Sequence, residues 1–494
     1  MLASKALPRT RLIARQMSSA VHASASTLEV LQRKHLAGRI FTFNRPAALN
    51  ALNLDMVRTM TPQLRAWEQS DLCSVIILKS DHPKAFCAGG DVKSLVDAIS
   101  SGNADAAVQF MREEYSLNHL IATTPKPFVA LCDGITMGGG VGLSVHAPFR
   151  VATEKTIFAM PETAIGLFPD VGGTFFLPRL DGELGTYLAL TGDRLTGSDV
   201  VSARIATHFV PSERMAALTE RLCEIEVGDW GVVNAAIEEF AEPIDPTSSK
   251  MDPHRKVIDS CFKHSTMDGI MAALKSEGSP FALTTLAKLQ ELSPLSMAVT
   301  LQQMRAGKTK TISEAFQYEW VLANNVLRQP DFVEGVTAKL FTKPPRTPVW
   351  ASKSMSAAEL QAQSKPRDGL EPLQLLREST YMQYPHRFLA LPSETDVHDV
   401  VKDVYGDNGG YAFTSRKEAE DWFVAHWPMR RIVAEGADTL KKLHRTVLRD
   451  AEPIHAEELE LSVSAGKIGV REHVRAILDR CTDIHGEALK WTWH

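Results

Sequence analysis

Two residues able to do chemistry, Glu162 and Asp170, are each a lone acid in an apolar setting. Glu162 lies in Ala159-Met160-Pro161-Glu162-Thr163-Ala164-Ile165, and Asp170 in Gly166-Leu167-Phe168-Pro169-Asp170-Val171-Gly172-Gly173. A poorly solvated carboxylate holds its proton more tightly than one in water, and once ionised it can serve as base or nucleophile. Upstream stand three glycines, Gly138, Gly139 and Gly140, and before them the pair Gly89 and Gly90. Glycines let a ligand approach the backbone closely, and a helix start leaves N–H groups unpaired. Such amides can stabilise an oxygen that acquires negative charge. Taken singly, a glycine cluster is more often a tight turn, and an acid in an apolar segment more often a paired structural residue. The order of strand, glycine triplet, helix, Pro-Glu and Pro-Asp is what points to acyl chemistry.

The elements that must position these residues follow from periodicity. Residues 128–132 form an apolar run between Pro127 and Asp133-Gly134, the length of a buried strand, and residues 141–145 can continue from the glycines as a helix. Residues 28–33 and 39–43, around Ala37-Gly38, predict a hairpin. Apolar spacing predicts a helix over 52–67 with Asn53 as N-cap. Residues 75–78 make a continuous apolar strand, of the kind buried on both faces of a parallel sheet. Strand, helix and strand in this order mean βαβ units and an α/β fold. The loop 84–92 carries Gly89-Gly90 into a helix from Asp91, and residues 104–122 form another helix bearing Glu113 and Glu114. By pattern alone Glu114 reads as a solvated acid on an amphipathic helix. Beyond Leu180 the chain is mainly helical, through 185–190, 198–203 and 212–227 to about Leu340.

The segment ITMGGGVGLSVH, followed by FRVATEK and FAMPETAIGLFPDVGG, resembles the crotonase superfamily, and within it the 3-hydroxyisobutyryl-CoA hydrolases. The resemblance runs from about residue 29 to about residue 350. It implies a repeated ββα spiral closed by C-terminal helices that cover the site and make subunit contacts, hence a homo-oligomer. It also implies that the Gly90 and Gly139 amides hold a thioester carbonyl oxygen, with Glu114, Gly139, Glu162 and Asp170 around the substrate. Hydratases of this superfamily use two glutamates; the second matches Glu162, but the first would stand at Gly142, which cannot do acid–base work. The resemblance therefore implies hydrolysis of 3-hydroxyisobutyryl-CoA to 3-hydroxyisobutyrate and free CoA in valine catabolism. Glu162 would be nucleophile or general base, and Asp170 and Glu114 would engage the 3-hydroxyl or position water. Coenzyme A is part of the substrate; no separate cofactor and no metal are implied.

The 494 residues and net charge of −5 suit a protein of two or three domains with no general reason to bind nucleic acid. No run of eighteen apolar residues predicts a membrane span. Six cysteines without CxxC spacing read as reduced thiols, Cys87 among them as packing rather than a nucleophile. His208 has no partner evident in the sequence and reads as structural. Residues 1–25 contain Lys5, Arg9, Arg11, Arg15 and several serines, with no acid before Glu29, which suits a mitochondrial presequence and a matrix location. Residues 26–350 are expected to form the hydrolase-like domain, ending at Lys343-Pro344-Pro345-Arg346-Thr347-Pro348. Residues 351–494 keep apolar periodicity and read as a mainly helical docking module. Their eight histidines are scattered without metal spacing, and their slight acid excess argues against RNA binding. A hydrolase-like protein occurs in some mitochondrial ribosomal small subunits, and the long extension resembles that case; a structural ribosomal role is the alternative this implies.

Overall fold

The computed structural model describes residues 28–245, 248–402, 404, 413–427, 467–485 and 488–492. The presequence expected over residues 1–25 lies outside them. Strands β1 (Val30–His35) and β2 (Gly38–Phe43) form the expected antiparallel hairpin. Helix α1 (Leu54–Glu68) follows, with the Asn53 side chain accepting from Met56 N at its start. From β2 onward the sheet is parallel, through β3 (Val75–Ser80), β5 (Phe128–Cys132), β7 (Phe149–Ala152) and β10 (His208–Phe209). Strands β4 (Ala85–Cys87), β6 (Ile135–Met137) and β8 (Ile157–Ala159) run parallel in a second sheet that β9 (Leu195–Thr196) closes antiparallel.

The pairs β3/β4, β5/β6 and β7/β8 each give one strand to each sheet, with helices in between. This is the repeated ββα spiral. Helices α2 (Val92–Ser100) and α3 (Ala104–Ala122) link β4 to β5. Strands β2, β3, β5 and β7 of the first sheet are buried on both faces, whereas the edge strand β1 is largely exposed. Phe41, Ile76, Leu78, Phe128 and Ala130 point into one apolar core, while Ile40, Val75, Ile77, Val129 and Leu131 point into the other, as strand alternation requires.

Glycine fills three of the four positions 139–142 and disfavours helix, so the helix expected over 141–145 is a single turn, α4 (Gly139–Gly142), followed by turns into β7. The later helices include α5 (Pro294–Gly307), α6 (Ile312–Val326) and α7 (Pro330–Val336). No gap separates the hydrolase-like part from the extension at residue 350. Trp350 Nε1 donates to Glu291 O at 2.9 Å, and Asn325 Nδ2 donates to Gln363 O at 2.7 Å. Trp320 Nε1 donates to Glu371 O at 2.9 Å, and the Gln317 side chain bonds the Leu373 backbone in both directions. Arg377 pairs with the buried Glu68 at 2.7 Å.

Farther on, helices α8 (Glu394–Val401), α9 (Arg416–His426) and α10 (Val470–Cys481) pack together, and the hairpin β11 (Thr482–His485)/β12 (Ala488–Trp491) adds a small sheet that periodicity did not anticipate. Glu394 is bridged to Arg480 at 2.6 Å and to Arg255 of the core at 3.1 Å. Among the described residues, no helix is long and apolar enough to cross a membrane.

Candidate active site

Four carboxylates converge where the spiral meets the C-terminal helices: Glu114 on α3, Glu162 opening the 3-10 turn Glu162–Ile165, Asp170 on the following loop, and Glu319 on α6. None is more than 6% exposed. Burial raises the pKa of every one of them. Glu162 is held well above the usual carboxylate range by burial and by the charge of Asp170. For Glu114, burial acts together with repulsion from Asp170, Glu162 and Glu319. Asp170 is pushed up to about 6 by burial, against the opposing hydrogen bond from Tyr115, whose hydroxyl donates to Asp170 Oδ2 at 2.8 Å. Burial pushes Glu319 to about 8, although two backbone amides favour its charged form.

The glycines meet these acids directly. A Cβ on Gly139 would lie 2.6 Å from Glu114 Oε1 and 3.2 Å from Gly90 N, so these three residues share one point in space. Leu52 pins the other glycine loop: its N–H donates to Gly89 O, and its carbonyl accepts from Asp91 N, each at 2.8 Å. The Gly90 and Gly139 amides themselves donate to no other described residue. Glu114 Oε1 and Glu162 Oε2 are buried without a hydrogen-bond partner among the described residues. Two adjacent free donors and two unpaired carboxylate oxygens can hold a polar substrate group and act on it.

The structure thus brings together Gly90, Glu114, Gly139, Glu162 and Asp170. Gly142 lies beside them but has no room for a side chain: a Cβ there would fall 2.5 Å from Val171 Cβ and 3.0 Å from Asn118 Oδ1. Cys87 is buried, and burial pushes its thiol up to about 12, so it is not a thiolate near neutral pH. All six cysteines are buried and unpaired. His208 has partners that the sequence did not reveal. It meets Thr207 Oγ1 at 2.8 Å, Asn234 Oδ1 at 3.1 Å and Glu238 Oε1 at 3.2 Å, and none of the four site acids.

Sequence reading missed Glu319, Tyr115, Gln303 and His146. Glu319 accepts from Gly172 N through Oε2 and from Thr174 N through Oε1, both at 2.7 Å, and so fixes the loop that carries Asp170. Gln303 Nε2 donates to Pro169 O at 2.6 Å on the same loop. The signal for Glu319 was present, since it is an acid on the helical face shared by Phe316, Trp320 and Ala323.

A family model described as enoyl-CoA hydratase/isomerase matches residues 38–364. The chain belongs to that family. Human mitochondrial 3-hydroxyisobutyryl-CoA hydrolase is 46% identical over 348 residues, covering 70% of this chain and 89% of that protein. The rat protein of the same name is 47% identical over 327 residues, covering 66% and 84%. Small ribosomal subunit protein mS47 of Neurospora crassa is 44% identical over 389 residues, covering 74% and 77%. Among solved structures, a carnitinyl-CoA dehydratase from Mycobacterium thermoresistibile superposes with a TM-score of 0.65 at 34% identity, covering 71% of this chain and 99% of that one. An enoyl-CoA hydratase from Rhodobacter sphaeroides gives 0.64 at 34%, covering 70% and 100%. The α/β crotonase fold is therefore that of this chain, an enzyme of the enoyl-CoA hydratase/isomerase family. Members with this fold carry the names of several reactions, so the reaction must be argued from the site.

Proposed function

We propose that the chain hydrolyses the thioester of 3-hydroxyisobutyryl-CoA, yielding 3-hydroxyisobutyrate and free CoA, as a homo-oligomer in the mitochondrial matrix. The observation that carries this reading is the pairing of a retained Glu162 with a Gly142 packed against Val171. One glutamate can activate an acyl transfer; adding water across a double bond in the manner of the hydratases calls on two. The hydrolases named above are the relatives that support the substrate.

In this reading the Gly90 and Gly139 amides receive the carbonyl oxygen as it becomes negative, each contributing roughly 2.7–4 kcal/mol to the transition state. Glu162 then takes one of two routes. As nucleophile, its oxygen bonds to the carbonyl carbon, the C–S bond breaks, and the CoA thiolate leaves and gains a proton; water cleaves the resulting anhydride and restores the carboxylate. As base, it removes a proton from the water that attacks, and that proton ends on the CoA sulfur. Asp170 and Glu114 engage the 3-hydroxyl or hold the water. The purified chain should release thiol from 3-hydroxyisobutyryl-CoA and should not hydrate an enoyl-CoA. Hydration without thiol release would overturn the assignment.

A second reading is supported by mS47, which covers 74% of this chain against 70% and 66% for the two hydrolases. In that reading the chain is also a component of the mitochondrial ribosomal small subunit, with the extension as its docking part. Co-sedimentation with the small subunit in mitochondrial lysate tests it, and sedimentation as a free protein would contradict it.

A further inference from the structure

The loop bearing Asp170 is held in an unfavourable backbone conformation. Val171, a β-branched residue, has φ +51°, and Gly172 follows at +88°. Such a turn persists only where its surroundings over-determine it. Glu319 and Gln303 hold its flanks, as described above. The third restraint is His146, buried among Phe176 and Phe316, whose Nε2 lies 2.7 Å from Val171 O. A Cβ on Gly172 would fall 2.2 Å from that same nitrogen, so the imidazole rests against the turn itself.

The other imidazole nitrogen is engaged from the extension. His146 Nδ1 lies 2.7 Å from the hydroxyl of Tyr384, and Tyr384 lies outside residues 38–364 matched by the family. The proton positions follow from chemistry. A carbonyl only accepts, so Nε2 must carry the hydrogen donated to Val171 O. Burial holds His146 neutral, with its pKa lowered to about 4, so Nδ1 is an acceptor. The Tyr384 hydroxyl faces Nδ1 at 2.7 Å and Val145 O at 3.0 Å, and its single hydrogen goes to the nearer acceptor, Nδ1. The result is a directed chain: Tyr384 O–H to Nδ1, then Nε2–H to Val171 O, one residue from Asp170.

We propose that Tyr384 is a positioning residue for the catalytic loop, fixing the His146 tautomer that holds Val171 and, through it, Asp170. The inference rests on the hydrolase reading only for its kinetic readout. The extension then forms part of the working site rather than an appendage to it.

Tyr384→Phe removes the hydroxyl and keeps the ring that packs on Phe175 at 5.3 Å. Tyr381→Phe is the matched control. Its hydroxyl donates to Ala122 O at 3.2 Å and its ring lies 5.4 Å from Phe175, in the same segment but off the chain to Val171. In full-length protein, Tyr384→Phe should lower kcat for 3-hydroxyisobutyryl-CoA about tenfold with KM within twofold, while Tyr381→Phe leaves both unchanged. The nitrogen-15 shifts of labelled His146 should show the Nε2–H tautomer in wild type and a changed Nδ1 signal in Tyr384→Phe. That readout stands even if the wild type proves inactive, which would sink the hydrolase reading alone. Equal effects of the two variants, an unchanged Nδ1 signal, or failure of Tyr384→Phe alone to fold would each overturn the positioning role.

Discussion

A Cβ on Gly138 would fall 2.9 Å from Glu162 Oε1, so the Glu162 carboxylate rests directly against the glycine turn that leads into Gly139. Gly138 also has φ +44°, a conformation that L-residues rarely adopt. The close approach and the backbone shape together leave glycine as the residue that fits. They also place the acid beside the free Gly139 amide, which is the relationship an acyl transfer needs.

Gly138→Ala should therefore displace Glu162 without removing it. A misplacement of about 1 Å can cost on the order of a hundredfold. Steady-state kinetics should show kcat lowered by about that factor; a variant with wild-type kcat would show that the contact is not critical.

Supplying the glutamate that hydratases carry should not create a hydratase. Gly142→Glu forces a side chain into Val171 and Asn118 and buries another charge near four acids. Overpacking alone costs roughly 1–3 kcal/mol. The expected outcome is a lowered Tm, lost thioester hydrolysis and no enoyl-CoA hydration. Measurable hydration would contradict the packing argument.

Much of the fold was legible because its signals are local. The hairpin, α1 with its Asn53 cap, β3, β5 and α3 lie where alternation and helical spacing put them. The five residues drawn from the family resemblance lie together: Gly139, Glu162 and Asp170 come from one stretch of motif, whereas Gly90 and Glu114 reach them from separate elements and were named by the resemblance alone. What escaped was non-local. Glu319 lies 147 residues from Gly172, and Tyr384 lies 238 from His146; nothing in either local pattern names its partner. His208 escaped likewise, since Asn234 and Glu238 reach it from a separate helix.

Stability should fall as pH rises from 7 to 8.5. Glu319 keeps its proton to about pH 8 when folded, against an ordinary value of 4.5. Glu114 and Glu162 are raised in the same direction. The unfolded chain has already released these protons, so the folded state binds more of them and loses stability as pH climbs toward the folded values. The buried histidines His119 and His146, lowered to about 4, act oppositely but only below about pH 6.5. The urea midpoint should thus be lower at pH 8.5 than at pH 7; a higher midpoint would contradict the protonated cluster.

The same cluster sets a pH dependence of rate. In the proposed reaction Glu162 would work only when ionised, and burial together with the charge of Asp170 raises its pKa. The kcat/KM of wild type should rise with pH through the neutral range. In Asp170→Asn the repelling charge is gone, so the residual activity should reach its plateau at lower pH. A shift toward higher pH would mean that Asp170 does not act on Glu162 through its charge.

Removing the extension should destabilise the whole protein. Arg377 donates to Glu68 Oε2 and to Thr123 O, and Glu68 is buried. Stranding a buried carboxylate costs roughly 3–5 kcal/mol. A chain ending at Trp350 should melt well below full length in a thermal scan, and Arg377→Ala should give part of that loss. A truncated chain as stable as full length would show that the extension is dispensable.

The most direct test is single-turnover thiol release from 3-hydroxyisobutyryl-CoA by full-length wild type and by Glu162→Gln, each checked for fold by circular dichroism. The hydrolase reading predicts release by wild type and a rate at least a thousandfold lower in the variant, on the order expected when an essential nucleophile or base is removed. Release by Glu162→Gln within tenfold of wild type would contradict the role of Glu162. No release by folded wild type would contradict the hydrolase itself.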